Sequence, residues 1–197
     1  MTTKTTGTRT IRGRDVPAPG RYLIDPSHSG VQITARHLMI SKVRGHFNVF
    51  SGSIDIAEEP TESMVDVVLQ ASSIDTGDPQ RDDHLRSADF LDVEHHPEIR
   101  FRSTQVRGMP NDKWEVSGGL TIRGLTRTIV MEVEYSGTMT DPWDNVRIAF
   151  LATGEVNRED FDITWNQALE AGGFLVGKGL RFECDVEAVR GTKPVDG

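Results

Sequence analysis

Along most of the chain, apolar and polar residues alternate one for one, the period of a strand with one buried face. The last run is the most regular: Leu180, Phe182, Cys184, Val186 and Ala188 alternate with Arg181, Glu183, Asp185 and Glu187. Residues 114–123 behave alike, with Trp114, Val116, Leu120 and Ile122 set against Glu115, Ser117, Thr121 and Arg123. Ile129, Met131, Val133 and Tyr135 share a side within 127–135, as do Val146, Ile148, Phe150, Ala152 and Val156 within 146–156. Earlier, Val31, Ile33 and Ala35 form one such set, and Val65, Val67 and Leu69 another. Between Val43 and Ile56 the phase changes: Val43, Phe47 and Val49 are odd-numbered, Ile54 and Ile56 even. An extra residue flips the facing of every later side chain in a strand, so the pattern predicts a β-bulge near Gly45 or Gly52. With short segments at 20–25 and 97–106, the chain is expected to form eight or nine strands. Turn chemistry separates them at Asp25-Pro26, Glu59-Pro60, Pro110-Asn111, Arg123-Gly124 and Asp141-Pro142.

Two stretches break the alternation. Residues 81–91 predict a short helix capped by Asp82 or Asp83, with Leu85, Ala88 and Leu91 on one stripe. Residues 157–173 predict an irregular turn and a second short helix, stopped by Gly172-Gly173. No repeat or linker divides the remainder, so residues 16–190 read as a single all-β domain, either a sandwich or a closed barrel. An eight-stranded barrel has room for packed side chains or one small ligand. The inward set includes Ala35, Gly118, Ala152, Gly154, Cys184 and Ala188. Small residues there fit a retained lumen or the taper of a filled core, and composition alone favours the filled core.

Composition narrows the function classes. The chain has 197 residues and a formal net charge of −8, which argues against a nucleic-acid partner. One cysteine excludes a disulfide framework and a multi-thiolate zinc site. The first 15 residues form a basic, threonine-rich leader, with Lys4, Arg9, Arg12 and Arg14 against Asp15. That leader and residues 191–197 are expected to be solvated and disordered. No apolar run fits a secretory signal or a membrane span, so the expectation is a soluble, cytoplasmic protein.

Chemistry-bearing residues are few. The six histidines are His28, His37, His46, His84, His95 and His96. Nine residues separate the first three in turn, so within a regular strand each pair would face opposite sides, and no metal site is expected. GGFLVGK at 172–178 resembles a phosphate-cradling loop, but Gly179 stands where Ser or Thr is needed, and a strand comes next instead of a helix. Asp25, Ser27, His28 and Ser29 crowd one turn without a nucleophile-elbow motif, so a turn held by side-chain hydrogen bonds is the simpler reading. Mid-strand Cys184 reads as an inert small hydrophobe. Arg81, Arg86 and His84 could hold an anionic head group at a barrel mouth, or merely pair with Asp82, Asp83 and Asp89 on the surface. Phe47, Phe90, Phe101, Phe150, Phe161 and Trp165 are candidate lumen or lid residues.

Five stretches in order resemble the YceI-like family of lipocalin-like, polyisoprenoid-binding barrels. They are YLIDPSHSGVQITARHLMISKVRGHFNVFSGSIDI at 22–56, SSIDTGDPQRDDHLRSADFLDVEHHPEIRFRST at 72–104, WEVSGGLTIRGLTRTIVMEV at 114–133, GEVNREDFDITWNQ at 154–167 and EAGGFLVGKGLRFECDVEA at 170–188. The chain departs from the family at Met39, where a glycine is more usual, and in a leader without an export signal. The resemblance implies an extended, eight-stranded antiparallel barrel with two short helical excursions. It also implies non-catalytic binding of a long amphiphile: an isoprenoid quinone, a polyprenyl phosphate or a fatty-acid derivative. No cofactor beyond such a lipid is expected, and a homodimer is. The expected lumen comprises Ile33, Phe47, Val67, Leu69, Phe90, Phe101, Leu120, Ile122, Phe150, Phe161, Trp165 and Phe182, with His28, His37, Arg81 and His84 toward a polar head group. Two other classes compete: a small-barrel enzyme acting through His28, His37 or His84, and a solid-cored interaction module.

Overall fold

A computed structural model describes residues 7–168 and 175–191. A short hairpin comes first, β1 (Thr8–Ile11) and β2 (Arg14–Pro17), followed by β3 (Gly20–Ile24), β4 (Gly30–His37), β5 (Ser41–Phe47), β6 (Phe50–Ile56) and β7 (Met64–Gln70). A two-residue strand β8 (Ile74–Asp75) and the helix α1 (Pro79–Arg86) interrupt the meander. It resumes with β9 (Glu98–Gly108), β10 (Lys113–Ile122), β11 (Leu125–Thr140), β12 (Val146–Asn157) and β13 (Val176–Arg190).

The strands close into a barrel. β13 pairs along one edge with β12 and along the other with β4 and then β3, all antiparallel. The pairs β3–β6 and β4–β5 show that β3 with β4, and β5 with β6, are two long staves, each broken once. Counting each broken stave once gives eight, running β3/β4, β5/β6, β7, β9, β10, β11, β12, β13 and back. Alternation of side chains then puts one apolar set inside and the polar set outside. This is the expected eight-stranded antiparallel barrel.

Several local expectations are corrected. The phase change between Val43 and Ile56 is a corner, not a bulge: β5 ends at Phe47, Asn48 and Val49 leave the ladder, and β6 resumes at Phe50 against different neighbours. Register shifts occur elsewhere, at Ser117/Gly118 between β10 and β9, and at Tyr135/Gly137 between β11 and β12. The helix begins at Pro79, because the Asp78 carboxylate accepts from the amides of Gln80 and Arg81. Asp82 is instead buried and accepts from the amide and hydroxyl of Thr76. The second excursion opens as a 3-10 turn at Arg158–Phe161, and its expected Gly172-Gly173 stop lies outside the described residues. Thr8–Pro17, read from sequence as part of a solvated leader and the start of the domain, is an ordered hairpin. Its own ladder and the barrel end it packs on hold it. Residues 1–6 and 192–197 lie outside the described residues.

Gly118 sits where the ladder shifts, and a β-carbon there would stand 2.3 Å from the Arg102 carbonyl oxygen. Gly118→Ala is therefore expected to lower stability by about 1–3 kcal/mol, because backbone must move to admit the methyl. Gly30, with nothing within 4 Å of its β-carbon position, is the control. Its alanine variant is expected to stay within ~0.5 kcal/mol of the parent in urea unfolding.

Candidate functional site

The inward faces of the staves do not meet at the axis. They enclose an apolar cavity of about 470 Å³, within the range of small-molecule sites. Ile33, Phe47, Val67, Leu69, Phe90, Phe101, Leu120, Ile122, Phe150, Trp165 and Phe182 all line it, as do Ala35, Ala152 and Cys184. These three small residues thus serve a lumen, whereas Ala188 is fully buried in the packed core and Gly118 lies against the Arg102 backbone. Gly154 works differently, since the Phe182 ring occupies the space a β-carbon would take. Phe161 does not line the cavity; it is fully buried in the core, packed behind the wall by its 3-10 turn. Cys184 faces the lumen, and burial pushes its thiol pKa up to about 12, so it is a protonated, unreactive wall residue near neutral pH.

The two ends of the lumen differ. At one end, the β1–β2 hairpin lies across the barrel and is held from several sides. Arg9 donates to the Ala57 carbonyl and to Glu58, and Thr8 hydrogen-bonds the Tyr135 hydroxyl. Arg14 stacks on the Trp114 ring at 5.6 Å. Val16, only 2% exposed, and Pro17 line the lumen from this hairpin. This end is stoppered.

The other end carries the polar groups. His37, Arg81, His84 and Arg158 all reach the cavity there, and Arg36 borders its rim from the outer face. Arg81 and His84 are three residues apart on α1 and so share a face. Thr76 orients Arg81, accepting from Nε at 2.7 Å and from Nη2 at 3.0 Å. His84 bonds Asp89 through Nε2 at 2.9 Å and meets the rings of Trp165 and Phe90 edge-on, with centroids at 4.6 and 5.0 Å. Those three rings form a partial lid beside the cations.

Arg158 was not among the sequence candidates. It is 2% exposed, and its guanidinium donates to the carbonyls of Ile163, Trp165 and Gly177 at 2.6, 2.8 and 3.0 Å. It therefore pins the segment that places Trp165 at the mouth against the start of β13. Its sequence setting, between Asn157 and Glu159-Asp160, reads as a solvated turn and gives no sign of burial. Arg36 stays exposed on the outer face of the rim, as strand alternation assigns it.

His28 is not a lumen residue. The turn between β3 and β4 bulges off the outside of the barrel, where the Asp25 carboxylate accepts from the Ser27 amide and hydroxyl, His28 Nδ1 and Arg147 Nη1. Arg147 also binds Glu187 and Asp141 at 2.5 and 2.9 Å. Asp25, His28 and Glu187 lie close enough to share a cation, but the Arg147 guanidinium already holds both carboxylates. Nor does this group suit nucleophilic catalysis. Ser27 and Asp25 both address Nδ1 of His28, whereas an activated serine must use the ring nitrogen opposite the carboxylate. The cluster is a clamp joining the β3–β4 turn, the β11–β12 turn, β12 and β13.

The clamp has a pH signature. Hydrogen bonds from Ser27, Arg147 and His28 hold the Asp25 carboxyl well below the usual range, and bonds from Asn145 and Arg147 do the same for Asp141. A carboxyl with a depressed folded pKa contributes stability above its unfolded pKa, about 4, and loses it as pH falls below that value. The urea midpoint should therefore drop with acid below about pH 4. Arg147→Gln is expected to be less stable at pH 7 and to show a flatter acid slope. For Arg158→Ala, which leaves buried carbonyls without donors, a loss of about 2–4 kcal/mol is expected by the same measurement.

The YceI-like domain family matches this chain over residues 22–188. A UPF0312 protein of Staphylococcus aureus is 35% identical over 169 residues, covering 84% of this chain and 95% of that protein. The crystal structure of the Campylobacter jejuni YCEI protein superposes with a TM-score of 0.69 at 28% identity, covering 80% of this chain and 90% of that one. A polyisoprenoid-binding domain from Saccharophagus degradans shares the fold at a TM-score of 0.64 and 12% identity, over 88% of this chain and all of its own. The barrel, its apolar lumen and the ordered sequence match agree: the chain belongs to the YceI-like family.

Proposed function

We propose that the protein binds and carries, without catalysis, a single long amphiphilic lipid of the isoprenoid or fatty-acid kind. Its tail lies in the lumen and its head group at the α1 mouth. The observation that carries this reading is the continuous apolar cavity running from Val16 and Pro17 at the stoppered end to Trp165 and His84 at the polar end.

The energetics favour such an occupant. At roughly 24 cal/mol per Å³, a lumen of this size left unfilled would cost on the order of 10 kcal/mol, as much as a whole domain's stability. An apolar wall offers water few hydrogen-bond partners, so solvent is a poor filler. Each methylene that a tail places there contributes about 0.8 kcal/mol. At the mouth, Arg81, His84 and His37 supply donors suited to a phosphate, carboxylate or carbonyl head group. The Saccharophagus degradans domain, described as polyisoprenoid binding, shares this architecture and supports the isoprenoid choice.

Organic-solvent extraction of the purified protein, followed by mass spectrometry, should yield one class of long-chain lipid at near-stoichiometric amount. Recovery of no lipid, with no binding of prenyl or fatty-acyl probes, would refute the proposal. Ala152→Phe turns a ring into the lumen and is expected to weaken tail binding by at least about tenfold while leaving the melting temperature equal or higher. At the mouth, Arg81→Gln should weaken acidic amphiphiles more than the matching alcohols, as read by displacement of a fluorescent fatty acid.

A further inference from the structure

The β4–β5 hairpin projects from the rim of the polar mouth. The Leu38 amide donates to the Leu175 carbonyl, and His37, Leu175 and Val176 beside it line the lumen. Its tip is three consecutive apolar residues, Leu38, Met39 and Ile40, with exposures of 37, 69 and 81%. Other exposed apolar residues are mostly scattered singly, which is ordinary for a soluble surface. A contiguous apolar tip is not ordinary. Leu38 and Met39 also hold left-handed backbone, with φ of 52° and 63°, a conformation that glycine or asparagine adopts at lower cost. Bulk is kept at the tip against that preference.

The charge around the tip is equally uneven. Residues 26–54 contain no Asp or Glu, although the chain has 30 acids in 197 residues and a stretch this long would average about four. Within it, Arg36 and Lys42 face each other across the ladder, and Arg44 sits one outward position further along β5. All three are exposed. Like charges opposed on a ladder are unfavourable unless an external anion neutralises them. Among the described residues, no carboxylate lies within salt-bridge distance of any of the three. The neighbouring cations on β13 differ, since Lys178 and Arg181 pair with Glu159 and Glu155.

We propose that the β4–β5 hairpin is a docking arm for an anionic lipid bilayer: Leu38, Met39 and Ile40 enter the apolar boundary, and Arg36, Lys42 and Arg44 meet the head groups. An apolar tip ringed by cations is the chemistry of an interfacial membrane contact. Each basic residue near an anionic surface is worth roughly fivefold in affinity. Docked this way, the barrel turns its polar mouth toward the membrane and its stoppered end away. The contact stands independently of what the lumen holds.

Vesicle co-sedimentation of the full chain tests this. Binding is expected to mixed phosphatidylcholine–phosphatidylglycerol vesicles at low salt, and not to phosphatidylcholine alone or at high salt. Lys42→Glu/Arg44→Glu should weaken it by at least about tenfold. Met39→Asp/Ile40→Asp should do the same without changing the melting temperature, because the tip is exposed. Met39→Cys, labelled with an environment-sensitive dye while the buried Cys184 stays unreacted, should shift to the blue on the anionic vesicles. Absence of vesicle binding, or binding that the charge and tip variants leave unchanged, overturns the proposal. So does a tip variant that converts a dimer to a monomer in light scattering with no vesicle binding, which would make a second copy of the chain the occupant.

Discussion

The structure depends on one strand holding two edges. β13 bonds β12 on one side and the broken stave β3/β4 on the other, so the sheet has no free end around the barrel. A sheet closed on itself satisfies its backbone polar groups without help from the interior. Its middle can therefore stay apolar and unfilled by side chains. The lumen follows from that closure, and so does the confinement of polar chemistry to the ends.

The ends are where ordinary strand logic gives out, and buried polar groups take over. Arg158 reaches four carbonyls from the second excursion and the start of β13, the longest of them at 3.5 Å, and so sets the position of Trp165. Asp82 does the same for Thr76, which in turn aims Arg81. Each is a short chain of bonds from a buried group to a rim residue. The outer clamp around Arg147 is built from the same materials but faces solvent on the far side of the wall from the lumen. Its Asp, His and Ser invite a catalytic reading that the shared use of one ring nitrogen contradicts.

How far the sequence discloses this varies with the kind of interaction. Period-2 alternation reports the strands faithfully, because each inward residue in β10, β11 and β13 is fixed by local geometry alone. The corner at Asn48-Val49 resembles a bulge in sequence, since both flip the facing of the residues after them and only the identity of the neighbouring strands separates the two. Whether Ala35, Ala152 and Cys184 meet a void or another side chain depends on barrel radius, which no single strand encodes. Motif membership does not place His28 or Phe161, because it says nothing about which side of the wall a turn emerges on. Arg158 and the Val16 hairpin were missed for the converse reason: polar, charged stretches usually signify solvent exposure, and here tertiary partners override that.

The hairpin stopper would also fix an order of events for the proposed lipid. Among the described residues, the lumen is covered at one end by Val16 and Pro17 and opens at the mouth beside α1. On the proposed function, the lipid would enter tail first and leave head first, along the same path reversed. Among the described residues the lumen has a stopper at one end and a mouth at the other, the form of a scabbard and not of a channel. For such a lipid, an acceptor would meet the exposed head group before any of the tail, and hydrocarbon would be uncovered only as fast as the recipient can cover it.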